Sequence, residues 1–180
     1  MHGTRGVVAM LLALSVAAWS AGQATRPVRS AAARAISRST PHLTFTATIS
    51  PAVIVPGARI SIAIDVVPKR GMHVYAPGTQ YRPVAIRLQA DPSLRVRNPV
   101  YPKPTVYRFE PLNEDVLVYD GPFRLVVDVI ANDASALRAH LRGRNQITIK
   151  GTLDYQACDD RMCYLPASVP FQWTLRVAGE

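Results

Sequence analysis

The feature that most constrains this chain is a period of two that recurs in short runs. Leu43, Phe45, Ala47 and Ile49 alternate with polar residues, and Ile60, Ala63/Ile64 and Val66 mark a second such run. Val84, Ile86 and Leu88 repeat the pattern, as do Leu153 and Tyr155 within Gln146–Gln156. Val169, Phe171, Trp173, Leu175 and Val177 repeat it within Pro166–Val177. Successive side chains of a strand point to opposite faces, so each run predicts a strand with one buried face. Further strands are expected at Met72–Tyr75, Leu94–Val100, Asp115–Tyr119 and Phe123–Ile130. The last two flank Asp120-Gly121-Pro122, a turn that fits a hairpin. Pro51, Pro56-Gly57 and Pro68-Lys69-Arg70-Gly71 close runs elsewhere, and the chain carries 15 prolines. Short strands with such frequent punctuation predict an all-β antiparallel β-sandwich. Ala134–Leu141 is the one segment that reads as a helix. Residues 43–180 suffice for one domain with its own core. There is no βαβ rhythm and no glycine-rich phosphate loop, which argues against a thioredoxin fold.

The first residues follow a different rule. Met1 to Gly6 carries Arg5, Val7 to Trp19 is uncharged and apolar, and small residues follow up to Ala24. This is the layout of a secretory signal peptide, expected over residues 1–24, with an apolar stretch too short to span a bilayer. No later stretch is long and apolar enough to cross a membrane, so an exported, soluble mature chain is expected. Residues 25–42 are rich in Arg, Ser and Ala and read as a basic flexible linker, with a helical turn conceivable at Ala31–Ile36. The formal charge of +9 reflects this N-terminal part. Five of the 21 basic residues (Arg5, Arg26, Arg29, Arg34 and Arg38) precede Leu43, whereas all 12 acidic residues follow it. The remaining balance is that of an ordinary surface, without the basic stripe and interleaved aromatics that nucleic acid requires.

The only two cysteines, Cys158 and Cys163, lie between the last two predicted strands. An exported chain with an even pair of thiols suits a disulfide. A loop of about six residues gains only about 2 kcal/mol from closure, so the pair is a weak staple. A structural clamp and a redox pair remain open on these residues alone. Metal binding is disfavoured, because no histidine lies near the pair in sequence. Neither a Ser-His-Asp arrangement, an H-E-x-x-H motif nor paired catalytic carboxylates stand out, and no cofactor is expected.

Three segments go further. Gly71-Met72-His73-Val74-Tyr75-Ala76, the aromatic and proline stretch Pro99–Phe109, and Tyr155-Gln156-Ala157-Cys158 through Cys163-Tyr164-Leu165-Pro166 together resemble the N-terminal periplasmic domain of the DsbD family. The sharpest part is Tyr-Gln-x-Cys followed by Cys-x-x-Pro. DsbD is a transmembrane thiol:disulfide interchange reductase of Gram-negative bacteria. The resemblance implies an immunoglobulin-like sandwich in the periplasm that passes electrons to thioredoxin-like thiol proteins. It implies that Cys158 and Cys163 are a redox-active pair, with Cys163 forming mixed disulfides. It places His73 and Tyr75 beside the pair and a cap loop at Tyr101–Leu112, with Tyr107 or Phe109 as the shield. The best-known member has five residues between its cysteines; here there are four. No membrane or thioredoxin-like region follows in this chain, which points to a separate membrane electron donor.

Around the pair, Asp159 and Asp160 disfavour a thiolate and Arg161 favours one. His73 has the chemistry to tune a thiol, although a buried, hydrogen-bonded histidine is the plainer expectation. Tyr75, Tyr155 and Tyr164 read as packing, Trp173 as core, and the two aspartates as a solvated turn. Two functions therefore stand side by side: a thiol–disulfide exchange component, or an exported binding module whose disulfide is inert. A reduction potential separates them, since structural disulfides lie below about −300 mV.

Overall fold

The computed structural model describes Gly3 and residues 32–89, 91–110 and 113–178. Among the described residues, thirteen strands and one helix follow in chain order: β1 (Arg34–Ser39), β2 (Leu43–Ser50), β3 (Val53–Ile54), β4 (Arg59–Pro68), β5 (His73–Tyr75), β6 (Ala85–Leu88), β7 (Leu94–Val96), β8 (Thr105–Phe109), β9 (Glu114–Tyr119), β10 (Phe123–Ala131), α1 (Ala134–Leu141), β11 (Gln146–Tyr155), β12 (Ala157–Cys158) and β13 (Ala167–Val177). They form a five-stranded sheet in the order β1-β2-β4-β10-β7 and a four-stranded sheet in the order β3-β13-β11-β6. A third sheet has the order β12-β5-β9-β8. All pairings are antiparallel except β13 with β3.

The alternation in sequence becomes the alternation of faces. Leu43, Phe45, Ala47 and Ile49 on β2, Ile60, Ile62, Ile64 and Val66 on β4, and Leu125, Val127 and Val129 on β10 turn one face of the first sheet inward. Ile147, Ile149 and Leu153 on β11, with Phe171, Trp173 and Leu175 on β13, meet them in a single core cluster. Phe45 and Phe171 touch edge to face across the sandwich, with ring centroids 6.3 Å apart. Each fully buried side chain of this size contributes about 1.5–3 kcal/mol. At Gly151 on β11 the neighbouring strands approach so closely that a Cβ would stand 2.8 Å from the Arg87 carbonyl oxygen, Leu88 and Phe171. Helix α1 is capped by Asp133, whose carboxylate accepts from the Ala136 N–H at 2.9 Å, and it buries Leu137 and Leu141. The result is the expected immunoglobulin-like β-sandwich.

Three expectations change. The expected linker does not run to residue 42: Arg34–Ser39 forms β1, paired along β2 from Arg34↔Ile49 to Ser39↔Thr44. The run looked structureless because this edge strand is mostly exposed, with only Ile36 packed against the core. Thr40 closes the hairpin, its hydroxyl accepting from the Leu43 N–H at 3.1 Å and from Tyr155 at 2.8 Å. This also replaces the conceivable helical turn at its Arg34–Ile36 end. Second, Asp120-Gly121-Pro122 does not make a hairpin: β9 pairs with β5 and β8, and β10 with β4 and β7. The turn carries the chain from one sheet to another. Third, the Leu94–Val100 strand shortens to β7, with Val100 making an isolated bridge to Val126. The expected leader, Gly3 apart, lies outside the described residues. Among those described, no helix is long and apolar enough to cross a membrane.

The third sheet positions the cysteines. It grows from strands of the sandwich: β12 continues β11 after Gln156, β5 follows β4 across a turn, and β9 leads into β10. It holds a small apolar cluster of its own, Tyr75, Phe109, Val116, Val118 and Cys158, with Tyr81, Tyr107 and Cys163 packed against it.

Candidate functional site at the cysteine pair

Gln156 is where the chain leaves one sheet for another. Up to Tyr155 the strand pairs with β13, and from Ala157 it pairs with β5, placing Cys158 opposite His73. The Gln156 side chain stays behind to donate to the Tyr164 carbonyl at 3.2 Å. Beyond Cys158 the chain reverses. The Tyr164 N–H donates to the Ala157 carbonyl at 2.8 Å, and the Asp159 N–H donates to the Met162 carbonyl at 3.0 Å. Cys158 and Cys163 thus face each other between two ladder bonds, the position where opposed side chains come closest. They are joined by a disulfide, with Cα atoms 4.1 Å apart.

Asp159 holds the reversal together. Its carboxylate accepts from the N–H groups of Arg161 and Met162, both at 2.8 Å, and from the Tyr164 hydroxyl at 2.8 Å. These donors, the backbone ones first, keep its carboxyl below the usual carboxylate range. The expected solvated turn is therefore a tied one, built as an Asx-type turn. Asp160 points elsewhere, accepting from the Tyr107 hydroxyl at 3.0 Å.

The two cysteines differ in exposure. Cys158 is fully buried, at 0% exposure, whereas Cys163 is half-buried. Met162 and Leu165, on either side of Cys163, are 54% and 88% exposed. The Tyr75 hydroxyl lies 3.2 Å from Sγ of Cys163 and 3.2 Å from Sγ of Cys158. A disulfide carries no proton on sulfur, so the tyrosine O–H is the donor. The Tyr75 ring is buried and stacks on Tyr81, with centroids 4.3 Å apart and planes 10° from parallel. Tyr81 donates its hydroxyl to Glu114, which also accepts from Gln80 at 3.1 Å. Burial first, then Tyr81 and Glu114, push Tyr75 up to about 12.

His73 is buried beneath Tyr107, ring centroids 4.4 Å apart, and meets Tyr75 edge-on at 6.2 Å. Burial pulls its imidazole below the usual histidine value, against the raising fields of Asp160, Asp120 and Asp159. Among the described residues its side chain makes no hydrogen bond, so the hydrogen-bonded core histidine of expectation is a stacked one instead.

All eight residues singled out in the sequence lie at this end of the molecule: Cys158, Cys163, Tyr75, Phe109, His73, Tyr107, Asp159 and Asp160. Tyr107 and Phe109 sit on β8, so Thr105–Phe109 of the expected cap loop is an edge strand. Pro111 and Leu112 of that region fall outside the described residues. Phe109 is buried in the cluster that contains Cys158, while Tyr107 is half-buried over His73. Sequence reasoning missed Tyr81 and Glu114. Neither belongs to an alternating pattern that would single it out, and they are 33 residues apart in the chain. Among the described residues no group of three or more His, Cys, Asp or Glu side chains is arranged to hold a metal ion.

The family model described as thiol:disulfide interchange protein DsbD, N-terminal, matches residues 43–172. Among solved structures, the chain is similar to the N-terminal periplasmic domain of ScsB from Proteus mirabilis. The identity is 14% and the TM-score 0.50, over 78% of this chain and 49% of that one, so it spans about half the ScsB chain. It is also similar to the DsbD N-terminal domain of Neisseria meningitidis in the reduced form, at 15% identity and a TM-score of 0.43. That likeness covers 64% of this chain and 82% of the other. No curated protein matches the chain. The ScsB likeness bears on the fold alone. The family match takes in both cysteines, β5, β8 and well over half of the residues, and on that ground the chain belongs to the family of DsbD N-terminal domains.

Proposed function

We propose that this domain is a periplasmic thiol–disulfide exchange module that passes electrons to thioredoxin-like partner proteins through Cys158 and Cys163. The observation that carries the reading is the unequal burial of the two cysteines in a disulfide that closes a short loop. A staple gains little from so short a loop. Exchange, by contrast, needs one sulfur that a partner can reach and another that is shielded from stray thiols. Loading runs as follows. A thiolate of a reduced donor attacks Sγ of Cys163, the bond between Cys163 and Cys158 breaks, and its electron pair passes to Cys158. The donor's second thiolate then attacks the mixed disulfide and releases Cys163. The donor loses two electrons and two protons and leaves as a disulfide; the domain gains both and is a dithiol. The same steps in reverse deliver the electrons to an oxidised partner. The leader expected at residues 1–24 supports export, and a membrane-borne donor is the natural source for a protein in that compartment.

Trapping tests this. Cys158→Ser leaves Cys163 able to form a mixed disulfide that nothing resolves. Such complexes with thiol proteins are expected to accumulate in periplasmic extracts, and far fewer with Cys163→Ser. The competing reading, an inert clamp in a binding module, predicts trapped complexes from neither variant and a pair that stays oxidised against strong thiol reductants. Equal trapping by both variants would keep exchange but overturn the assignment of Cys163.

A further inference from the structure

The disulfide is surrounded by apolar side chains on its buried side, with one polar atom turned onto it. Phe109, Val116 and Val118 pack in its cluster, and the Tyr75 hydroxyl stands 3.2 Å from each sulfur. When the disulfide opens by attack at Cys163, a negative charge arrives on Cys158, a sulfur with no exposure to water. An anion formed in such surroundings is costly unless a donor meets it. We propose that the Tyr75 hydroxyl is that donor, a catalytic hydrogen bond that stabilises the Cys158 thiolate as it leaves and, in the reverse direction, as it attacks. The proposal rests on the exchange reading above.

The placement suits the role. The hydroxyl already touches Cys158 before the bond breaks, so the stabilising dipole is in place at the moment of reaction. The ring is held by stacking on Tyr81, itself tied through its hydroxyl to Glu114, and by the edge contact with His73. Because burial pushes Tyr75 up to about 12, it faces the new thiolate as a neutral donor and not as a second anion. No atom is transferred to or from the tyrosine. As the bond opens, its one hydrogen bond, shared between two sulfurs, concentrates on the charged one. Charge-assisted hydrogen bonds of this kind are shorter and stronger than neutral ones.

The test uses Tyr75→Phe in the purified full chain, which keeps the ring and its stacking but removes the oxygen. The rate of reduction by dithiothreitol is followed at several pH values, where the titratable groups around the pair are Tyr81, Glu114, His73, Tyr107, Asp159, Asp160, Arg161 and Tyr164. The variant is expected to react about tenfold or more slowly, the loss of one charge-assisted bond, with an unchanged circular dichroism spectrum. In a Cys163→Ser background, the pH midpoint for alkylation of Cys158 should rise when Tyr75 becomes Phe, a shift that a packing role would not produce. Site-specific 3-fluorotyrosine at position 75, with nearly the same shape and a stronger donor, should move the rate the other way. A Tyr75→Phe chain that reduces at the native rate, or an alkylation midpoint that stays put, overturns the proposal. If the native chain itself resists dithiothreitol, the exchange reading falls as well; if it reacts and the variant matches it, the Tyr75 assignment alone is lost.

Discussion

Burial and three carboxylates pull His73 in opposite directions, and burial prevails. The imidazole is pressed between Tyr107 and the apolar floor of the site, so charging it means desolvating a cation there. A histidine whose folded value lies below its unfolded value of 6.5 adds stability that is fully present above about pH 6.5. That stability is lost as pH falls through the folded value, because the unfolded chain takes up the proton more readily. The thermal midpoint is therefore expected to fall between about pH 7 and 5, above the range where carboxylates titrate. His73→Phe keeps an aromatic ring against Tyr107 and should flatten that part of the profile. An identical slope in the variant would assign the effect to another group. Asp159 illustrates the opposite case: half-buried, it is ordered by two backbone N–H groups and the Tyr164 hydroxyl, and its role is to shape the loop.

At the scale of elements, the β8–β9 pair packs beside the cysteines, and we propose it as their cover. β8 is an edge strand whose Tyr107 and Phe109 lie two residues apart and share a face, so one turns onto His73 and the other onto the Cys158 cluster. Edge strands open more readily than central ones, since one side of their backbone has no ladder. Replacing Tyr107 and Phe109 together with Ala is expected to speed alkylation of the reduced pair by iodoacetamide several-fold. Unchanged rates would remove β8 from the role of shield. Much of the pairing in this sheet was hidden from local reading. β5 and β12 are three and two residues long, too short for an alternation to register, and β8 is largely exposed. The Asp120-Gly121-Pro122 turn carries hairpin chemistry, yet β9 finds better partners in β5 and β8. That choice depends on residues far away in the chain.

For the molecule as a whole, the disulfide contributes little to a core already made by two sheets. The large cluster between them includes neither cysteine, and the loop the bond closes is about six residues long. Reduction should therefore lower stability by about 2 kcal/mol or less, with the urea dependence of unfolding unchanged. Urea unfolding with and without reductant measures this. A much larger loss would recast the bond as a structural clamp. The sequence by itself determined the sandwich: the alternations from Leu43 to Ile49, Arg59 to Val67, and Pro166 to Val177 reappear as β2, β4 and β13 within a residue or so. Ala134–Leu141 reappears as α1 with the same bounds. Those signals are local, because a strand or helix with one buried face writes its period into consecutive residues. Only the tertiary structure decided that Arg34–Ser39 joins the sheet, that β9 turns away from β10, and that Cys158 is fully buried while Cys163 is half-buried. Only it brought Tyr75 between Tyr81 and the two sulfurs. Edge pairing, sheet membership and the burial of single side chains depend on what the rest of the chain places opposite them, which no period along the sequence records.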